Sequence, residues 1–269
     1  MTKIQNKTTD NCLAIAFYGI DTSPKTAEAF FRVAVELIGQ LRYDPHELGV
    51  TGKGFSGKIG QYDRIASKLH KSGFAAVNAF DLRSNNSNTT PLGPERMVEA
   101  SFSAGYDYGG YAIISIPADK LTKDITFAVS EKIAQAVRPS YGIGYVRDSK
   151  LGPVWYAIGI CQGPARTGAA YQEGLDITHW CFDGREREVY RKGLLRDVYP
   201  WNFLTVPQLT RFVDGIPLEQ WIRRSRMRGT LRQLTDEVTL WEVEETAIPK
   251  ARKTLHEAGV IFDWRKGEH

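Results

Sequence analysis

Residues 51–60, TGKGFSGKIG, hold the first spacing in this 269-residue chain that could do chemistry. Gly52, Gly54 and Gly57 satisfy G-x-G-x-x-G, and Gly52 through Lys58 fill the first seven places of the phosphate-loop pattern G-x-x-x-x-G-K-S/T. Glycines at these places let backbone N–H groups converge on an anion, provided a helix N-terminus lies behind them. A helical pattern does come after them. But Ile59 stands where the magnesium-binding hydroxyl belongs, the preceding YDPHELGV is a poor buried strand, and no suitable apolar run ending in Asp lies downstream. The segment therefore reads as a flexible glycine loop with solvated lysines. A nucleotide- or phosphate-handling enzyme built on residues 52–60 is the alternative.

His179 and Cys181, in HWCFD, could form a nucleophile pair or half of a metal site. Residues two apart diverge on a helix and share a face only on a strand. Zinc needs further ligands at recognisable spacing, and none is offered. A buried thiol beside an ordinary histidine is the expected outcome. The acidic cluster WEVEE places Glu242 and Glu244 on the face of a strand opposite Trp241 and Val243, with Glu245 next, which reads as a solvated face. No catalytic residue, metal ligand or cofactor site is assigned.

The basic run RRSRMRGTLR carries five arginines over residues 223–232. Residues 185–232 hold eleven basic against five acidic side chains, and residues 233–269 hold five against eight, so the charge is patterned. Arginine pairs bidentately with carboxylate or phosphate. Arg223, Arg224, Arg226 and Arg228 are the candidate partner-binding residues, set against a solvated helix end whose dipole also favours arginine. A nucleic-acid-binding module using residues 223–232 is a further alternative. It is disfavoured, because the run lacks the interleaved aromatics that base stacking needs.

The elements that must position these residues can be read from pattern. The chain is 42% hydrophobic and 25% charged with a net charge of +4, ordinary for a globular protein and too mild to announce a nucleic-acid binder. Cys12, Cys161 and Cys181 form no C-x-x-C pair, which suggests reduced thiols. The N-terminal MTKIQNKTTDN has no apolar core of a signal peptide, and the longest apolar runs are strand-sized. A cytoplasmic protein without a membrane span is expected.

Residues 12–20 read as a buried strand. Ser23 and Pro24 open a long helix through Phe30, Ala34 and Leu37. A second helix is expected over about 59–69, stopping near Gly73, and a third after Thr122, ended by Pro139. FAAVNAF, VEASFSAGY, YAIISI, YGIGYV and PVWYAIGI read as strands, residues 84–96 as an exposed excursion, and residues 162–174 as a linker or long loop. The last third reads as two short helices near 207–213 and 218–227, a hairpin over 230–243, a helix from Thr246, and a strand over 260–264. Strands joined by hairpins with helices interspersed predict an α+β fold, mostly antiparallel sheet flanked by helices. The expected organisation is an N-terminal α+β region over 1–161 and a C-terminal one over 175–269, or one continuous domain.

The segment RDVYPWNFLT, residues 196–205, predicts an architectural corner. Pro200 fixes its own φ and holds Tyr199 extended, the three aromatics anchor layers, Asn202 bonds to the turn, and Thr205 caps the next helix. The order GLLRDVYPWNFLT, PQL, DG, LEQWI, RGTL, LWEV and a closing helix resembles the C-terminal region of immunity proteins from polymorphic-toxin and type VI secretion systems. RPSYGIGYV and PVWYAIG upstream are similar to the same group. The resemblance covers about the last 130 residues and assigns no catalytic residue. It implies a bacterial, non-enzymatic binding protein whose partner is a cognate protein toxin, neutralised by occlusion.

Overall fold

The run NCLAIAFY forms strand β1 (Asn11–Tyr18), buried along its whole length after the first residue. The computed structural model describes residues 11–84, 100–106, 110–160, 169–184 and 188–266. The expected excursion at 84–96 falls almost wholly on residues outside these, as do Cys161 and the first part of the expected linker. After β1, Asp21 accepts hydrogen bonds from the Ser23 backbone N–H (2.9 Å) and the Thr26 hydroxyl (2.8 Å). Ser23 Oγ caps Thr26 N–H, and Pro24 sits in the first turn of α1 (Pro24–Gln40). These are the capping residues expected of this stretch.

Next come one longer strand, β2 (Glu47–Gly52), and two short ones, β3 (Phe55–Ser56) and β4 (Gly60–Gln61). Helix α2 (Tyr62–Ser72) stops at Gly73, whose φ of 72° suits glycine. Then come β5 (Val77–Ser84), β6 (Ala100–Gly105) and β7 (Tyr111–Pro117). Thr122 caps α3 (Lys123–Val137), which leads to β8 (Tyr141–Asp148). Short α4 (Pro153–Ala157) and α5 (Ala169–His179) precede a corner and β9 (Trp201–Leu204). The rest is α6 (Val206–Leu209), the hairpin β10 (Phe212–Val213) with β11 (Ile216–Pro217), α7 (Leu218–Arg223), the hairpin β12 (Thr230–Gln233) with β13 (Thr239–Glu242), and α8 (Ile248–Glu257).

One sheet runs in the order β12-β13-β9-β8-β1-β7-β6-β5-β2-β3, with β4 beside β2, and every pairing in it is antiparallel. The fold is therefore α+β, as the pattern of elements predicts. Alternation along β1 feeds two separate cores. Leu13, Ile15 and Phe17 face the layer of α1, α2 and α3. Ala14, Ala16 and Tyr18 face the layer of α4, α5, α7 and α8. Strand β8 is two-sided in the same way. Tyr141, Ile143 and Tyr145 enter the second core, while Gly142 and Gly144 turn toward the first. A Cβ at Gly142 would meet the Phe17 ring at 2.7 Å, and one at Gly144 would meet Trp201 at 3.0 Å, so glycine lets those aromatics lie against the strand. Among the described residues no helix is long and apolar enough to cross a membrane.

Three local expectations are corrected. PVWYAIGI is not a strand: PVWYA is helix α4 and a turn follows it, because Pro153 supplies a helical first-turn φ and Tyr156 N–H donates to Gly152 O at 2.9 Å. A short apolar run cannot be told from a buried helix by periodicity. Residues 169–174, expected as loop, begin α5. The strand expected at 260–264 reduces to a single parallel bridge, Leu195 to Ile261, because Asp263 caps the Arg265 N–H at 3.1 Å and turns the chain.

The joint between the layers is Asn202, fully buried on β9. Its Oδ1 accepts from Tyr199 N–H (3.0 Å), and its Nδ2 donates to Tyr199 O (2.6 Å). Asn202→Ala leaves buried backbone groups unsatisfied and is expected to cost about 1–3 kcal/mol, read as a lower urea midpoint at unchanged slope.

Candidate functional site

The basic run does not form one helical face. Helix α7 ends at Arg223, and Ser225 Oγ caps Met227 N–H to start a separate tight turn, Arg226–Arg228, closed by Gly229 at φ 98°. Arg223 pairs with Glu219 one turn back at 2.9 Å. Arg228 is tied inward: Nη1 donates to Trp221 O (2.7 Å), its guanidinium lies 4.2 Å from the Trp221 ring centre, and its carbonyl accepts from Trp241 Nε1 (2.7 Å). Arg224 and Arg226 are exposed and carry no ion pair among the described residues. Met227 beside them is 76% exposed. Of the four arginines singled out in sequence, two therefore face outward free, one is ion-paired, and one braces the fold.

The fifth arginine of the run reaches a different place. Arg232, on β12, stacks over Phe127 of α3 with its guanidinium 3.5 Å from the ring centre. Beside it opens a cleft of about 130 Å³ lined by Lys123, Asp124, Phe127, Trp201, Arg232 and Glu242 among others. Trp201 and Glu242 are cross-strand partners on β9 and β13. The cleft thus forms where the first turns of α3 meet one end of the sheet. In the sequence Trp201 belongs to the corner and Glu242 to a wet strand face, and no motif marks Lys123. Arg232 was the residue whose place in the basic run could have pointed here.

The glycine segment is a β-hairpin. β2 and β3 pair through Thr51–Ser56 and Gly52–Phe55, leaving Lys53 and Gly54 as the turn. Its donors are already engaged: Lys53 N–H goes to Ala76 O (3.1 Å), Gly57 N–H to Val50 O (2.9 Å) and Lys58 N–H to Ser56 Oγ (3.3 Å). A Cβ at Gly52 would lie 1.8 Å from Ala76 O, so that glycine serves strand packing. Lys58 is exposed, and the lysine touching the loop is Lys68, through Gly54 O.

His179 and Cys181 diverge. Cys181 is buried and donates to Ala157 O (3.2 Å). His179 stacks on Trp264, ring centres 3.9 Å apart, with Nδ1 at 2.5 Å from Asp183 Oδ2. Asp176 accepts from Trp264 Nε1 and Arg265 Nη2, both at 2.7 Å, so this histidine belongs to a clamp on the C-terminal turn. Glu244 and Glu245 are exposed. Among the described residues no group of three or more His, Cys, Asp and Glu side chains could hold a metal ion.

The corner at 196–205 holds the most perturbed groups. Arg196 is buried and donates to the Tyr18 hydroxyl (2.9 Å), Ala157 O (3.2 Å) and Tyr156 O (2.9 Å). Desolvation works against its charge, but the surrounding tyrosine and cysteine groups outweigh it and hold its pKa well above the ordinary arginine value. Adjacent Asp197 faces away and pairs with Arg252 at 2.6 Å. Burial pushes Tyr141, Tyr145 and Tyr156 well above the usual tyrosine range, and Tyr199 up to about 12. Thr205 N–H donates to Gln208 Oε1 (2.9 Å) at the start of α6. These residues join the layers.

No family model matches the chain, and no curated protein matches it. Among solved structures it is similar to the Pseudomonas aeruginosa T6SS protein PA0821, with a TM-score of 0.58 at 12% identity over 94% of this chain and 73% of that one. At that identity the likeness is one of fold.

Arg228→Ala removes a ring stack and a carbonyl bond and is expected to destabilise by about 1–2 kcal/mol in urea titration, while Arg224→Ala stays within about 0.5 kcal/mol. The buried tyrosines ionise later in the folded chain than in the unfolded one. Their contribution to stability is therefore whole below about pH 10 and is lost above it, at about 1.4 kcal/mol per pH unit for each tyrosine involved. The melting temperature should fall steeply above about pH 10, and a flat profile there would contradict the burial of these phenols.

Proposed function

We propose that this chain is an immunity protein that neutralises a cognate toxin of a type VI secretion system by binding and occluding it. The observation that carries the reading is the fold likeness to a T6SS protein along 94% of this chain. The motif order from GLLRDVYPWNFLT to LWEV, similar to that of immunity proteins, supports it independently. The side chains with the best claim to chemistry are engaged in the fold: Cys181 to a carbonyl, His179 to Trp264 and Asp183, Arg196 to Tyr18 and two carbonyls. Outward-facing Arg224 and Arg226, with exposed Met227, offer the residue types that dominate binding surfaces.

The mechanism on this reading is steric. A surface of standard size covers the toxin's active site or its path to substrate, and no bond is made or broken. This reading predicts a type VI toxin gene beside this chain's own, and the experiment is co-expression with the product of that neighbouring gene. Growth should be restored, and the two proteins should co-elute with nanomolar affinity. Unrelieved toxicity together with no co-elution would overturn the reading.

A further inference from the structure

The segment TGKGFSGKIG spends its backbone donors on its own hairpin, yet that hairpin delivers its lysines to one place. Lys53 lies in the β2–β3 turn and Lys58 in the return toward β4, both exposed. Lys68 ties the hairpin to α2. Its ammonium donates to Gly54 O and lies 4.8 Å from the centre of the Phe55 ring. Arg64, one turn earlier, lies over Gly60 of β4, where a Cβ would meet its Nη2 at 2.9 Å. Arg64, Lys68 and Lys71 stand at i, i+4 and i+7 of α2, within about 60° of one another around the helix, and all three are exposed. Buried Ala66 and Leu69 hold the opposite side. None of these five cations has an ion pair among the described residues. Asp63, the one acidic residue of positions 51–73, lies about 80° or more around the helix from the stripe.

The arrangement works against the fold. Like charges three and four residues apart repel along a helix. The helix dipole favours Lys71 in the last turn of α2, but it opposes Arg64, which stands in the first turn where an acidic side chain is favoured. The hairpin then sets Lys53 beside Gly54, the residue that Lys68 grips, and adds charge of the same sign. Repulsion held in place by a pinned hairpin and a helix, with no acid brought up to neutralise it, marks a surface whose counter-charge lies on another molecule.

The chemistry of the surface selects among polyanions. Lys68 covers the Phe55 ring, so no open aromatic platform is offered to a nucleic-acid base. Ile59, 42% exposed, is the one large exposed apolar side chain described between residues 51 and 73, too little for a membrane interface, which takes apolar area beside charge. Four of the five cations are lysines, compact hydrated charges that meet scattered carboxylates singly. We infer that the α2 stripe and the β2–β3 hairpin form a docking surface for an acidic face of a protein partner, and that their charge speeds the encounter. The inference rests on the proposed immunity role for which protein that is, but not for the sign of its surface.

The test has two arms. In the first, a peptide of about ten glutamates is titrated into the ¹⁵N-labelled chain at about 0.02 M salt. It should shift the amides of the hairpin and α2 more than those around Arg224 and Arg226, and Lys53→Glu/Arg64→Glu should weaken it at least about tenfold. Neither side chain makes a hydrogen bond or ion pair among the described residues, so this variant should melt no lower than the parent. Shifts centred elsewhere, an unchanged affinity in the variant, or a variant that melts several degrees lower would each overturn the surface. So would tighter binding at the same amides by duplex DNA or by vesicles of phosphatidylglycerol, which would make the occupant a nucleic acid or a membrane. In the second arm, the toxin of the neighbouring gene should associate with the variant about tenfold more slowly at low salt, the difference fading by about 0.5 M. A toxin that binds the variant at the parent's rate and salt dependence overturns the surface and spares the immunity role. A glutamate peptide that maps to this face on a chain with no toxin partner spares the surface and removes that role.

Discussion

A guanidinium sealed inside the second core is the constraint on which this molecule turns. Arg196 has no carboxylate partner among the described residues, so its charge survives only if every acceptor around it is in place. Those acceptors are the Tyr18 hydroxyl at the end of β1 and the carbonyls of Tyr156 and Ala157 around the end of α4. Arg196 and Tyr18 are 178 residues apart in the chain. Leaving a buried charge unpaired typically costs about 3–5 kcal/mol, so partial assembly of this region is penalised. The corner, β1 and α4 must form together.

The arginine also sets the path of the next residues. With Arg196 turned inward, Asp197 is directed outward to Arg252 of α8. Pro200 then bends the chain, and Asn202 closes the bend on Tyr199 before β9 joins β8. Strands β9, β13 and β12 extend the sheet from that joint, and the cleft beside α3 exists because they do. The cleft is thus carried on strands and a helix rather than on a free loop.

Much of the architecture is readable from residue order, for local reasons. Ser23–Pro24, Thr122 and Gly73 mark helix ends because they satisfy or stop the backbone bonds there, whatever surrounds them. The β12–β13 hairpin and the Asn202 turn are readable for the same reason. PVWYAIGI is not, because a short all-apolar run fits either a strand or a helix, and Pro153 decides it. The strand expected at 260–264 fails on a short-range feature, the Asp263 cap. The site is harder still. The arginine run is visible, but which of its members is free depends on Glu219 and Trp221 packing back from α7. The cleft draws Lys123, Trp201, Arg232 and Glu242 from separate stretches of the chain, and the sheet register together with the packing of α3 brings them together.

The sheet's two ends have a consequence for the chain in concentrated solution. The path of strands stops at β3, two residues long, and at β12, four residues long with Arg232 and Gln233 exposed. Each offers a foreign strand few backbone groups to zip onto, and one also offers a charge that would lose its water. A sheet this wide would otherwise be a template for stacking into fibres. Its clipped, partly charged margins let it remain broad inside and unreactive at the rim.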